Sequence, residues 1–135
     1  VVTGGSDNHM NLIDLTAYCK GKGVFVQEAL DFAGITVNKN TIPAEPSSPF
    51  YPSGIRLGTP AITTRGMKEK EMEQIARWIA QIIEAAKQYQ LPENKDERAV
   101  YVRQFKQEIS KNKIVEKVRG EVLELCRRFP LYPNM

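Results

Sequence analysis

The sequence is poor in the residues that build metal and disulfide sites. It has one histidine, His9, and two cysteines, Cys19 and Cys126, far apart and outside any CxxC pair. A structural zinc ion takes four cysteine or histidine ligands at close spacing, so a zinc centre is excluded, as is a disulfide-built scaffold. The two thiols read as reduced and mostly buried, in a cytoplasmic protein. No apolar run approaches the roughly 20 residues that cross a bilayer, so no membrane partner is expected. The opening VVTGGSDNH has neither a basic nor an apolar leader region and is not a signal peptide. Val1 stands where an initiator methionine would, which fits a processed chain or a piece of a longer one. Internal repeats and low-complexity tracts are absent.

A dominant charge is also missing. The 19 bases and 16 acids leave a net charge of +3. Residues 1–66 hold five bases and five acids and sum to zero, so 67–135 carry the excess. There the signs alternate, as in KEKEMEQ, which marks a solvated helix face and not a nucleic-acid patch. What remains is ordinary: 135 residues, 41% hydrophobic and 26% charged, enough for one globular domain with a real core.

The chain divides near residue 66. In the first half, Asn8–Leu15 reads as a strand. Phe25, Val26, Ala29, Leu30, Phe32 and Ala33 recur at helical spacing until Gly34. Ile35–Val37 is short and largely β-branched, a predicted strand. Pro43, Pro46, Pro49 and Pro52 then fall within ten residues and exclude both helix and central strand. Gly54–Gly58 (GIRLG) is a second short strand. The second half is helical. Met72, Ile75, Ile79, Ile82 and Ala86 share one face, and Gln88–Pro92 breaks that helix. Asn94, with Glu97 three residues on, resembles an N-cap with its reciprocal acid. Ala99, Val102, Phe105 and Ile109 form a second stripe. Val115, Val118, Val122, Leu125 and Phe129 form a third, ended by Pro130 and Pro133. The expected fold is α+β: a small sheet covered by helices in two layers.

Loops carry chemistry more often than stripes do, and 38–66 is long, apolar and rich in proline. Within it, Arg56 lies among Ile55 and Leu57. An arginine buried among apolar neighbours needs an anion, either a ligand carboxylate held bidentately or an internal acid such as Glu45 or Asp31. Elsewhere the readings are plain. His9 is a capped structural histidine before it is a catalyst, and Asp7 and Asn8 form a turn. Glu28 and Asp31 are solvated. Trp78 packs at the core edge or against another domain. Tyr51 lines a pocket or shields the loop.

The stretch SGIRLGTPAITTRG, Ser53 to Gly66, resembles the signature of serine hydroxymethyltransferase. VNKNTIP, SPF and the upstream TGGSDNH resemble the same family in the same order. The resemblance implies the C-terminal small domain of a pyridoxal phosphate (PLP) enzyme of the aminotransferase-like fold, over residues 1–135, with a substrate-loop half (1–66) and a helical half (67–135). It implies an enzyme that interconverts serine plus tetrahydrofolate and glycine plus 5,10-methylenetetrahydrofolate, and that works as a homodimer. Arg56 matches the arginine that binds the amino-acid carboxylate and so orients the bond to be broken. Asn40 falls where an amide meets the pteridine of folate, and Ser48 is a further folate candidate. Arg65 lies in the signature with a structural or supporting role. The threonine-rich run before the cofactor lysine does not occur, and Lys20, Lys22 and Lys39 stand in other contexts. PLP is therefore expected on a separate large domain, and this chain alone is expected to be inactive. Two readings from other classes stand beside this one: a stand-alone α+β binding module, and RNA binding through the basic helical tail.

Overall fold

The computed structural model describes residues 1–132; Pro133, read above as a terminating residue, lies outside the described residues. The elements run β1 (Met10–Asp14), α1 (Gly23–Phe32), β2 (Asn38–Asn40), β3 (Gly54–Gly58), α2 (Pro60–Thr64), α3 (Glu69–Ala85), α4 (Lys95–Ile109) and α5 (Lys113–Arg128), after a 3-10 turn at Val2–Gly4. The three strands form an antiparallel sheet in the order β1-β3-β2, with β3 central. The fold is α+β, as expected.

Alternation along each strand sends one set of side chains to the core and the other outward. Ile55 is fully buried, and Ile13 and Leu57 pack against the same cluster. That cluster continues through Phe25, Ala29 and Leu30 of α1, Ile79 and Ile82 of α3, Phe105 and Ile109 of α4, and Val118 and Val122 of α5. The three long helices therefore bury most of the stripes their spacing predicts. At about 25 cal/mol per Å2, such burial is the main stabilising term.

Backbone contact seats α1 on the sheet. The Gly23 N–H donates to the Pro52 carbonyl at 3.0 Å. A Cβ at Gly23 would fall inside contact distance of the Pro52 and Gly54 carbonyl oxygens. Lys22, one residue earlier, is buried, with its ammonium donating to the carbonyl oxygens of Ala86, Lys87 and Tyr89. The C-terminal end of a helix favours a cation, and these acceptors replace the water that burial removes. Burial alone pulls the Lys22 ammonium below its ordinary pKa. On the other side of α1, Phe25 meets Phe105 edge-on at 4.9 Å, and Tyr89 meets Phe105 at 4.6 Å.

Several expectations change. Ile35–Val37 is not a strand. The chain becomes extended and paired one step later, at Asn38–Asn40, while Val37 is buried in the core. Ala99 is exposed, so the α4 stripe starts lower than its spacing suggests. The Asn94 cap is real: its side chain accepts from the Asp96 N–H at 3.1 Å. Glu97, however, accepts from the Asn94 amide and not from its backbone. Glu28 is paired, not free in water, with Lys106 Nζ at 2.9 Å. Cys19 and Cys126 are free thiols, half-buried where mostly buried was expected. Trp78 is buried, its indole N–H bonded to Glu121. Asn8 forms the expected turn, accepting from the Met10 N–H at 2.8 Å.

Gly23→Ala is expected to lower unfolding stability by about 3 kcal/mol, because two backbone carbonyls must move to admit one methyl group. The urea midpoint checks this; an unchanged midpoint contradicts the close packing of α1 on the sheet.

Candidate functional site

Among the described residues, no helix lies over the outer face of the sheet. In register, Leu12 of β1, Arg56 of β3 and Asn38 of β2 lie side by side. Cross-strand partners project to the same face, so Arg56 points away from buried Ile55, and Asn38 and Asn40 share its side. The lead-in to the loop covers one end of this face: a Cβ at Gly54 would meet Ile42 Cγ2 at 2.6 Å and the Asn40 carbonyl at 2.9 Å. Gly54 is thus required by close approach, and Arg56 stands at the middle of β3, two residues beyond that cover.

Arg56 is exposed. The expectation of a guanidinium buried among apolar neighbours fails, because alternation turns it away from Ile55. The expectation of an internal acid can be compared directly. Among the described residues, the ion pairs join Arg77 to Glu73, Lys87 to Glu84, Lys106 to Glu28, Lys117 to Glu121 and Arg127 to Glu124. None involves Arg56. Asp31 is exposed on α1, and Glu45 is engaged elsewhere.

Glu45 organises the loop. Its carboxylate accepts from the N–H groups of Ile42 at 3.3 Å, Ser47 at 2.9 Å and Ser53 at 2.9 Å, and from the Ser53 hydroxyl at 2.6 Å. The Ser53 oxygen in turn accepts from the Gly21 N–H at 2.9 Å. Four prolines leave this segment short of backbone donors, and one carboxylate gathers three N–H groups within and beside it. Partial burial would raise the Glu45 pKa; the hydrogen bonds from Ser53, Ser47 and Ile42 outweigh it and hold the carboxyl below its ordinary range. Asp14, on the same sheet face as Arg56, is also committed. Its carboxylate accepts from the Thr16 hydroxyl at 2.6 Å and N–H at 2.8 Å, which lowers its pKa.

The remaining candidates separate. Asn40 is half-buried beside the loop, its amide nitrogen donating to the Thr41 carbonyl at 2.7 Å, while its amide oxygen accepts no hydrogen bond among the described residues. Ser48 opens a turn closed by the Tyr51 N–H on the Ser48 carbonyl at 3.0 Å, with Pro49 preset for the bend. Lys39 ties that turn to β2 by donating to the Phe50 carbonyl at 2.9 Å. Arg56 and Asn40 therefore share a face, and Ser48 lies in the loop that borders it. Arg65 is elsewhere: its guanidinium donates to the Cys126 carbonyl at 3.1 Å in the last turn of α5, the end of a helix that favours a cation. Tyr51 packs against the core with the Arg98 guanidinium over its ring. His9 is exposed, and its backbone carbonyl accepts from the Thr59 N–H. Glu45 and Asp14 as loop and strand anchors, and Asn38 as the neighbour of Arg56, were not legible without the strand register. A cavity of about 400 Å3 lies behind the sheet, lined by Leu57, Ile62, Met67, Ile75 and Val122 among others; Arg56, Asn40 and Ser48 are not part of it.

Comparison with known proteins agrees with these motifs. The family model for serine hydroxymethyltransferase matches residues 1–79. A serine hydroxymethyltransferase of Methanospirillum hungatei is 45% identical over 135 residues, all of this chain and 27% of the relative. One from Halorhodospira halophila is 43% identical over 132 residues, 98% of this chain and 26% of the relative. The chain thus spans about a quarter of the length of the curated relatives it matches.

Glu45→Gln removes a charged acceptor of four hydrogen bonds and is expected to cost about 1–3 kcal/mol at pH 7. A carboxyl whose folded pKa is depressed stabilises above its ordinary value near 4.5, and this contribution is lost as pH falls through the lower folded value. Urea unfolding at pH 7 and pH 3 should show the gap between the two proteins narrowing in acid. A gap independent of pH contradicts the role given to the carboxylate.

Proposed function

Because this chain belongs to the serine hydroxymethyltransferase family, we propose that it is the C-terminal small domain of such an enzyme. The whole protein interconverts serine plus tetrahydrofolate and glycine plus 5,10-methylenetetrahydrofolate with PLP. In this reading residues 1–66 supply the substrate loop, 67–135 the helical support, and a separate large domain the cofactor site. Two copies of the whole enzyme form a homodimer. The single observation that carries the reading is Arg56: an exposed guanidinium on an open sheet face, within the matched segment, with no internal ion pair among the described residues.

A guanidinium offers two parallel N–H donors that match a carboxylate. Held that way, the carboxylate of serine or glycine fixes how the substituents on Cα are turned, and such positioning contributes several kcal/mol in typical enzymes. The surface becomes dry only when another domain covers it, and the same pair then strengthens in the lower dielectric. Asn40, with its amide oxygen unused, presents an acceptor for the donor edge of a pterin. Ser48 offers a hydroxyl at the rim of the same loop. Arg65, tied to α5, supports the segment and does not meet substrate.

Lys22 and Lys39 do not fit a Schiff-base role. Lys22, buried, is held by three carbonyl oxygens, and Lys39 by the Phe50 carbonyl. No step of the proposal therefore runs through the cofactor on these residues.

In the whole enzyme, Arg56→Ala and Arg56→Lys are expected to weaken serine binding by about a hundredfold or more, the loss of a bidentate charged contact. Serine affinity unchanged in both removes Arg56 from the site. This chain alone is expected to give no serine-to-glycine turnover, and detecting it would contradict the division of labour between the two domains.

A further inference from the structure

Arg56 has two direct cross-strand neighbours, Leu12 and Asn38. Leu12 is apolar and can satisfy none of its five N–H donors. Asn38 is exposed, and its side-chain amide makes no hydrogen bond among the described residues. Of the diagonal polar neighbours, Asp14 accepts from Thr16 through one carboxylate oxygen and the Asn40 amide donates to the Thr41 carbonyl; both stand farther from Arg56 than Asn38, its direct partner. Directly paired side chains in an antiparallel sheet have Cβ atoms about 5 Å apart, within reach of an amide and a guanidinium. The face thus sets an uncommitted neutral amide beside an uncommitted cation.

We propose that Asn38 is a positioning residue of the carboxylate site, an uncharged acceptor that steadies the Arg56 guanidinium without neutralising it. The inference rests on the reading of Arg56 as the carboxylate-binding group. A carboxylate ligand uses two of the guanidinium donors, and the others need partners once a covering domain excludes water. An amide oxygen supplies one and leaves the positive charge intact. A carboxylate at position 38 would supply one as well, but as a competing anion it would form the bidentate pair that substrate needs. Among the described residues no acid pairs with Arg56: Glu45 is engaged through both carboxylate oxygens, and Asp14 accepts from Thr16 through one. Neutrality at position 38 then decides whether the site is open to a ligand.

The test uses the whole enzyme, with serine and glycine affinity measured by calorimetry and KM separated from kcat. Asn38→Asp is expected to raise the dissociation constant for both amino acids about tenfold or more, with the change in KM and not in kcat. Asn38→Ala should raise it about threefold by loss of one hydrogen bond, and Asn38→Ser, a neutral acceptor, should recover part of that loss. Folate affinity should not move in any of the three. Serine affinity unchanged in Asn38→Asp overturns the inference, as does an equal loss in all three variants, which would mark a role in shape alone. Arg56→Ala, measured in parallel, separates the two readings. If it loses affinity while Asn38→Asp does not, only the role of Asn38 fails; if it binds serine normally, the carboxylate reading fails and this one with it.

Discussion

A single carboxylate holds the functional edge of this domain in shape. Glu45 sits in a segment whose prolines cannot donate backbone hydrogen bonds, and it collects three N–H groups and a hydroxyl from both ends of that segment. Ser53, bonded to it, also receives the Gly21 N–H, so the start of α1 and the start of β3 are fixed by the same knot. Loosening it would free Pro52 and Gly54, the two carbonyls on which Gly23 rests. The loop is irregular in secondary structure yet ordered in its hydrogen bonding, which is how a long proline-rich connection can border a site without fraying.

The rest of the fold serves that edge by turning it outward. Helices α1, α3, α4 and α5 share one core against the inner sheet face, and the opposite face keeps Arg56 exposed. The chain spans about a quarter of the length of its relatives, and the proposed covering domain would meet this face. Family membership suggests the role of Arg56, and its exposure without an ion pair among the described residues is compatible with it.

Parts of this were legible in the residues. The strand Gly54–Gly58 is bounded by glycines and starts and stops where they stand. The three long helices follow from apolar spacing. Other parts were hidden for physical reasons. Ile35–Val37 looks like a strand because burial and β-branching coincide there, but pairing is a property of the backbone. The strand that pairs, Asn38–Asn40, is polar and largely exposed. The short helix Pro60–Thr64 carries β-branched residues of low helix propensity, and its proline is tolerated in the first turn. Lys22 between two glycines gives no sign of burial, since its three acceptors come from more than sixty residues away. The exposure of Arg56 was misjudged because composition places it among apolar neighbours, whereas alternation sends it to the opposite side. The match to family motifs found the residue; only the register found its surroundings.

The central claim is that Arg56 awaits the negative end of an amino acid. A crystal structure of the whole enzyme with glycine bound tests it most directly. The account predicts both terminal nitrogens of Arg56 at about 2.8 Å from the two carboxylate oxygens, with no protein acid in contact with the guanidinium. Glycine held by another cation, or Arg56 closed onto an aspartate or glutamate of the covering domain, would contradict it.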